Sequence, residues 1–192
     1  MAWNCFRRAM VPWLVCGALA FALTSFASPG VVHAQVGEAG SIRDSSFHAR
    51  PQMVSVFTGF LVNRFDSYGF PLTIGGRYYF PIVPNGFIPS LNDEFGIEGG
   101  LDFLFLFGDN KTLFGFGVPI DAMWDFHFSS TFDAYGKLGF LFGNVFGSGY
   151  RYGGFWFDFR PAVGIRFKIN DLIYFRAEAG YPVIMAGLGF AF

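Results

Sequence analysis

The chain has 192 residues and a formal net charge of −1, and only 14% of its residues are charged. This near-neutral balance argues against a nucleic-acid-binding protein and against a basic protein of membrane surfaces, and the length suits one domain of ordinary size. Phe supplies 29 residues and Gly 26. The charged fraction of 14% is low, because a soluble domain usually carries about 25% charged residues.

Residues 1–34 have the organisation of a secretory signal peptide. Arg7 and Arg8 form a basic region, residues 9–23 form an apolar core, and Val32-His33-Ala34 supplies a cleavage motif. We expect cleavage after Ala34, with cleavage after Ala27 as the alternative. The apolar core is short compared with the roughly 20 residues of a membrane-spanning helix, which argues against a retained anchor.

Both cysteines, Cys5 and Cys16, lie in this predicted signal peptide. The mature chain would therefore contain no disulfide and no thiol chemistry. Val15 precedes Cys16, where a lipoprotein signal requires a small residue, so lipidation is not expected.

The mature chain divides into a short lead-in and one β-rich domain. Residues 35–51 are polar and show no periodicity, which predicts a flexible N-terminal lead-in, and residues 52–192 form the predicted domain. Alternating apolar and polar positions predict eight strands. They cover residues 53–62, 70–80, 95–107, 113–128, 132–142, 155–169 and 172–181, and the segment that ends at Phe192. Residues 81–94, with three prolines and an Asn-Gly pair, are predicted to form a long loop.

The third strand shows the alternation most clearly. Ile97, Leu101 and Phe103 occupy odd positions, whereas Glu98 and Asp102 occupy even positions, so the two sets point to opposite faces. The apolar face is too aromatic, and recurs in too many strands, for the single small core of a soluble eight-stranded barrel of the lipocalin type. We therefore predict an all-β, transmembrane antiparallel up-and-down barrel of about eight strands, with its apolar side toward lipid.

Charged residues of the strands fall on the opposite parity and are predicted to face the lumen. An eight-stranded barrel is just wide enough for side chains to fill it, so acids and bases should pair there. The predicted lumen charge network comprises Arg77, Glu98, Asp102, Asp121, Asp125, Asp133, Lys137, Asp158, Arg160, Arg166, Lys168, Arg176 and Glu178. A narrow water-filled channel is the alternative. Inward glycines could serve either arrangement, by making room for long side chains or by leaving a pore (Gly96, Gly100, Gly115, Gly117, Gly139 and Gly164).

The C-terminal pattern Leu188-x-Phe190-x-Phe192, the signal peptide and the alternating strands together resemble the superfamily of small bacterial outer-membrane β-barrels, which includes the OmpA barrel, OmpX and OmpW-like proteins. The sequence Tyr-Phe-Arg-Ala-Glu-Ala-Gly-Tyr at 174–181 is also similar to this group. The resemblance covers residues 53–192. It implies a location in the bacterial outer membrane, a surrounding of lipid and lipopolysaccharide, and insertion by the barrel assembly machinery. Leu188, Phe190 and Phe192 would then form the assembly signal.

The resemblance indicates a non-enzymatic monomer without a cofactor, in a structural or envelope-integrity role, with a porin-like channel for small solutes as the alternative. The loop at 81–94 is longer than is usual in the group, and the presumed outer loops are short, which argues against adhesion.

A lipid A-modifying barrel enzyme is a further alternative, because His127-x-Ser129 resembles the catalytic pair of outer-membrane lipid A deacylases, and residues two apart share one strand face, where a His base could activate a Ser hydroxyl. However, the parity places His127 inward at the periplasmic end, whereas such an enzyme needs a lipid-facing site near the outer surface. Asp121 and Asp125 share a face, but two carboxylates are too few for a metal site, so no metal is predicted.

Overall fold

The computed structural model describes residues 39–44, 46–61, 70–108, 111–147 and 154–192. The predicted signal peptide lies outside these residues. The strands are β1 (Met53–Leu61), β2 (Phe70–Val83), β3 (Asp93–Gly108), β4 (Lys111–His127), β5 (Phe132–Phe146), β6 (Gly154–Lys168), β7 (Ile173–Gly180) and β8 (Val183–Ala191). Consecutive strands pair antiparallel and the sheet closes on itself, so the prediction of an eight-stranded up-and-down barrel is confirmed. The described residues include no helix with the length and apolar character needed to cross a membrane.

The barrel closes where β8 pairs with β1. Val54 lies opposite Phe190 and Val56 opposite Leu188, and the Phe192 amide donates a hydrogen bond of 3.0 Å to the Gln52 carbonyl. A closed sheet leaves no unpaired strand edge, which is the condition for a β-structure in lipid. The C-terminal residues that were predicted to signal assembly therefore form the closing strand.

The exterior of the barrel is a belt of apolar side chains. Phe140 and Phe157 are 45% and 49% exposed, whereas Lys137, on the opposite parity of β5, is 4% exposed. β1 follows the same rule, although its parity was unclear in the sequence: Val54 and Val56 face outward, and Ser55 faces inward. This belt suits lipid rather than water. Its other exposed Phe residues include Phe80, Phe103, Phe107, Phe114, Phe116, Phe142, Phe146, Phe155, Phe159 and Phe167.

Both chain termini of the barrel and the β2–β3, β4–β5 and β6–β7 connections lie at one end, here called the termini end; the opposite end is the far end. The loop predicted at 81–94 is shorter than expected and covers residues 84–92. β2 continues through Pro81 because its pairing with β1 ends at Tyr79, so the proline needs no hydrogen bond to β1. A register shift in the pairing with β3 follows between Pro81 and Val83. Proline is tolerated at such an edge or bulge because its missing N–H leaves no bond unmade.

The lead-in segment contacts this loop at the termini end. The Ile42 carbonyl accepts a bond of 2.8 Å from the Asn92 amide, and Arg50 Nε donates to the Pro84 carbonyl at 3.1 Å. Within the segment, the Asp44 carboxylate accepts hydrogen bonds from the Ser46 hydroxyl and from the Gly40 and Ser46 amides. These bonds favour the ionised form and lower the pKa of Asp44 to about 2.

Candidate functional site: the barrel lumen

The middle of the lumen holds a charge network with four acids and four bases. Its members are Arg77, Glu98, Asp102, Asp121, Lys137, Arg160, Arg176 and Glu178, here called the central network, and each is at most 4% exposed. Because the two signs balance, the network is neutral as a unit, which limits the cost of placing charges away from water.

Arg176 lies at the centre of this network. Its Nη1 contacts Glu98 Oε2 at 2.7 Å and the Ser55 hydroxyl at 2.8 Å, and its Nη2 contacts Glu178 Oε1 at 3.1 Å. Lys137 pairs with Glu98 and, at 2.6 Å, with Glu178. These bonds satisfy most donors of the two bases and hold side chains from four strands in one arrangement.

Two further pairs extend the network. Arg77 and Asp102 form a bidentate pair, with Nη1–Oδ1 and Nη2–Oδ2 distances of 2.6 and 2.8 Å. Arg160 pairs with Asp121 and reaches Glu178 Oε2 at 3.4 Å. Bidentate guanidinium–carboxylate pairs are among the stronger hydrogen-bonded contacts in proteins.

Inward glycines provide space for these side chains. A Cβ atom at Gly164 would lie 2.3 Å from the Tyr135 ring, and one at Gly75 would lie 1.9 Å from Asp102 Oδ1. The same holds at the other inward glycines, where side chains or backbone of the neighbouring strand occupy the space. The glycines therefore admit large side chains and do not line a pore.

The far half of the lumen is mostly apolar, with Asp158 as a buried charged residue among its side chains, and this was not predicted from the sequence. Inward side chains there form one packed cluster, here called the apolar layer: Phe57, Leu61, Leu104, Leu106, Leu113, Leu141, Val145, Trp156, Val183 and Met185. Paired charges therefore fill only part of the lumen, and the prediction of a lumen filled by charges alone was incomplete. A dense apolar layer excludes water at the far end.

At the termini end lies a second polar group, here called the mouth cluster: Glu94, Asp125, His127, Asp133 and Arg166. His127 Nδ1 lies 2.8 Å from Asp133 Oδ1, and Arg166 Nε lies 3.1 Å from Asp133 Oδ2. Arg166 also pairs with Asp125 and lies 3.7 Å from Glu94 Oε1.

The mouth cluster opens into a cavity of about 290 Å³, whose walls include His48 and Arg50 of the lead-in segment. Arg50 Nε lies 3.3 Å from Glu94 Oε2. Neither Glu94 nor Arg50 was predicted from the sequence to lie in the mouth of the barrel. Glu94 was assigned to a loop and Arg50 to a flexible segment, and only the β3–β4 pairing of Glu94 with Asp125 reveals the inward position of Glu94.

The structure buries twelve of the thirteen residues proposed for the lumen network, including Asp158 in the far half. The exception is Lys168, which is only half-buried and pairs at 2.8 Å with Asp171 of the β6–β7 turn, where this contact lowers the pKa of Asp171. The suggested pair of His127 and Ser129 lines one cavity but shows no hydrogen bond between the two side chains in the described part of the chain. The Ser129 hydroxyl accepts from the Thr131 and Phe132 amides at 3.3 and 3.0 Å.

Comparison with solved structures tests the fold. The crystal structure of Ail, the attachment invasion locus protein of Yersinia pestis, superposes with a TM-score of 0.50 at 16% identity and covers 75% of this chain and 100% of Ail. The chain has the fold of a small outer-membrane β-barrel. Ail in complex with the heparin analogue sucrose octasulfate gives a TM-score of 0.51 with the same identity and coverage.

A structure of the Yersinia pestis outer membrane protein Ail in a phospholipid bilayer nanodisc is also similar, with a TM-score of 0.45, 17% identity, and coverage of 75% of this chain and 100% of Ail. No family model and no curated protein matches the sequence. The similarity to Ail agrees with the closed eight-stranded barrel and its apolar exterior.

Proposed function

We propose that this protein is an integral barrel of the bacterial outer membrane, serves the structure or integrity of the envelope, and does not conduct solutes. The observation that carries this proposal is the doubly closed lumen: a neutral network of paired charges in the middle and an apolar layer at the far end. An ion crossing this path would have to break buried charge pairs and then enter a dry layer, and both steps are costly.

Conductance in planar lipid bilayers tests the closed lumen. The purified barrel is expected to insert without stepwise current, while a porin added to the same bilayers gives clear steps. Reproducible unitary currents from this protein, at constant size over many insertions, would establish the alternative of a narrow channel.

A non-enzymatic role agrees with the geometry of the one candidate catalytic pair. The Ser129 hydroxyl is engaged by backbone amides of its own turn, and His127 is paired with Asp133 inside the mouth rather than facing lipid. A lipid A mass spectrum from cells with and without the protein is expected to be identical, and a difference in acyl chain pattern would contradict this part of the proposal.

The envelope role predicts a permeability defect in cells that lack the protein. Such cells are expected to become sensitive to detergent and to large antibiotics, and the wild-type gene is expected to restore resistance. The matched control is a variant of the closing strand, Phe190→Ser with Phe192→Ser, which should not restore it. Unchanged resistance in the deletion strain would remove the envelope role but would leave the closed lumen in place.

The proposal places the termini end in the periplasm, outer-membrane lipid and lipopolysaccharide around the belt, and the barrel assembly machinery as the inserting partner. A peptide tag inserted after Gly147, at the far end, should then be reached by antibody on whole cells. A tag inserted after Asn170, in the β6–β7 turn, should be reached only after the outer membrane is opened. The reverse pattern would invert the orientation.

A further inference from the structure

Strand register brings the side chains of the mouth cluster together from the four neighbouring strands β3 to β6. Glu94 of β3 lies directly opposite Asp125 of β4, and His127 of β4 lies directly opposite Asp133 of β5. All four point inward at the termini end. Asp125, His127 and Asp133 each offer a donor atom, and these atoms lie within 4.8 Å of one another.

Several of these donors are buried and make no hydrogen bond in the described part of the chain. They are Nε2 of His127, Oε2 of Glu94 and Oδ1 of Asp125, whereas Asp125 Oδ2 pairs with Arg166 and Glu94 Oε2 lies 3.3 Å from Arg50 Nε. Glu94 and Asp125 are 2% and 0% exposed. His127 Nε2 and Glu94 Oε2 lie 3.7 Å apart and face each other. Buried polar atoms are almost always hydrogen-bonded, so a group of orphaned acceptors at one place indicates a missing partner.

The other nitrogen of His127 is already oriented. Nδ1 lies 2.8 Å from Asp133 Oδ1 and is placed to donate to it, while Nε2 faces Glu94. A carboxylate that accepts from one ring nitrogen is the usual way in which proteins orient a histidine that binds a metal through the other nitrogen.

The carboxylates of the mouth cluster outnumber the arginines that contact them, whereas the acids and bases of the central network are equal in number. Glu94, Asp125 and Asp133 contribute three negative charges, whereas Arg166 and Arg50, the two bases in contact with them, contribute two positive charges. A metal ion bound at Nε2 requires a neutral imidazole, and the ion's own positive charge then compensates the carboxylates in place of the imidazolium.

We propose that the mouth cluster binds a divalent transition-metal ion of the zinc class through His127 Nε2, Glu94 and Asp125, with Asp133 as the positioning residue. A mixed set of imidazole and carboxylates suits zinc, whereas calcium and magnesium prefer oxygen donors alone. The cavity of about 290 Å³ gives the ion a path from solution at the termini end. This site does not depend on the envelope role or on the closed lumen.

Arg166 touches the same carboxylates and therefore competes with the ion while it holds them in place. We expect reversible binding rather than a permanent structural metal. Binding should thus follow the zinc concentration of the surrounding compartment.

Zinc uptake by the purified barrel tests the site. The protein carries no polyhistidine tag, is stripped with a chelator in detergent micelles, and is dialysed against zinc before metal analysis. Cobalt replaces zinc in a parallel sample to give a visible absorption spectrum. We expect one zinc per chain, a cobalt spectrum with nitrogen and oxygen ligation, and no displacement of zinc by excess calcium or magnesium.

Variants assign the ligands. His127→Ala is expected to abolish uptake, and Asp133→Asn to weaken it about 10–100-fold, as expected for a residue that orients a ligand. His48→Ala is the matched control, because His48 lines the same cavity outside the cluster, and it should bind as the wild type does. Heat-modifiable gel mobility confirms that each variant is assembled. If His127→Ala fails to assemble, His127→Gln provides the same comparison.

Failure of the wild type to take up zinc would overturn the proposal. So would uptake that persists in assembled His127→Ala or His127→Gln, or that is lost in His48→Ala. Displacement of zinc by calcium would overturn the assigned class of metal.

Discussion

The sequence predicts that Lys137 and Lys168 each occupy an inward-facing position of their strand. The structure nevertheless predicts very different losses of stability when each is replaced by Met. The Lys137 side chain is 0% exposed and pairs with Glu98 and Glu178, so Lys137→Met leaves four buried acids facing three bases. Breaking a buried pair by removing one partner costs about 3–5 kcal/mol. Lys168 is half-buried and its partner Asp171 is 93% exposed, so Lys168→Met should cost at most about 1 kcal/mol.

Equilibrium unfolding in denaturant, with the barrel in lipid vesicles, measures both variants. The double variant Lys137→Met with Glu98→Gln removes the excess acid along with the base and is expected to regain part of the lost stability. Equal unfolding free energies for the two single variants, or no recovery in the double variant, would refute the view that the central network acts as a balanced unit.

Three other perturbations follow from the fold. Phe140→Arg places a charge on the lipid face of β5 and should reduce the unfolding free energy by about 2–4 kcal/mol if the position lies near the membrane midplane. The control Ser130→Arg, in the β4–β5 turn, should change the unfolding free energy by at most about 1 kcal/mol. Similar values for the two variants would place Phe140 outside the lipid belt. Phe190→Ser with Phe192→Ser removes apolar contacts of the closing strand and should leave the protein unassembled and degraded, so normal heat-modifiable mobility would show that these residues are dispensable. The hydrogen bonds to Asp44 favour its charged form, so the stability that they add to the lead-in turn should be fully present above about pH 4 and lost as the pH falls through about 2; this is measured from the Gly40 amide resonance, which in Asp44→Asn should show no such transition.

The sequence correctly predicted which side chains of each strand face the lumen and which face outward, because the alternation of apolar and charged residues is a local property of the strand. A charged residue such as Arg160 or Asp102 fixes the inward parity of its strand, and the aromatic neighbours then fall on the lipid side. β1 contains no charged residue, which is why its parity stayed open until pairing with β2 and β8 determined it.

Depth along the lumen could not be predicted in the same way. Leu104 and Leu141 share the parity of the charged residues, but a parity pattern carries no information on which inward residues meet across the lumen. That depends on the register between strands, as does the approach of Glu94 to His127. Gly139 illustrates the same limit. Period alone makes it a plausible site for a lumen arginine, but a Cβ there would lie 2.2 Å from the Ile120 carbonyl.

The contacts around Arg176 join alternate strands, with Ser55 on β1, Glu98 on β3, Lys137 on β5, and Arg176 with Glu178 on β7. Arg176 and Glu98 are 78 residues apart in the chain and lie on β7 and β3, so their contact exists only after the sheet has curved through half of its circumference. The interior therefore specifies the number of strands. Because barrel diameter grows with strand number, a barrel enlarged by duplication of one hairpin would separate these charges beyond contact. Growth of this lineage by that route would require a new interior, whereas the lipid-facing surface could be copied unchanged.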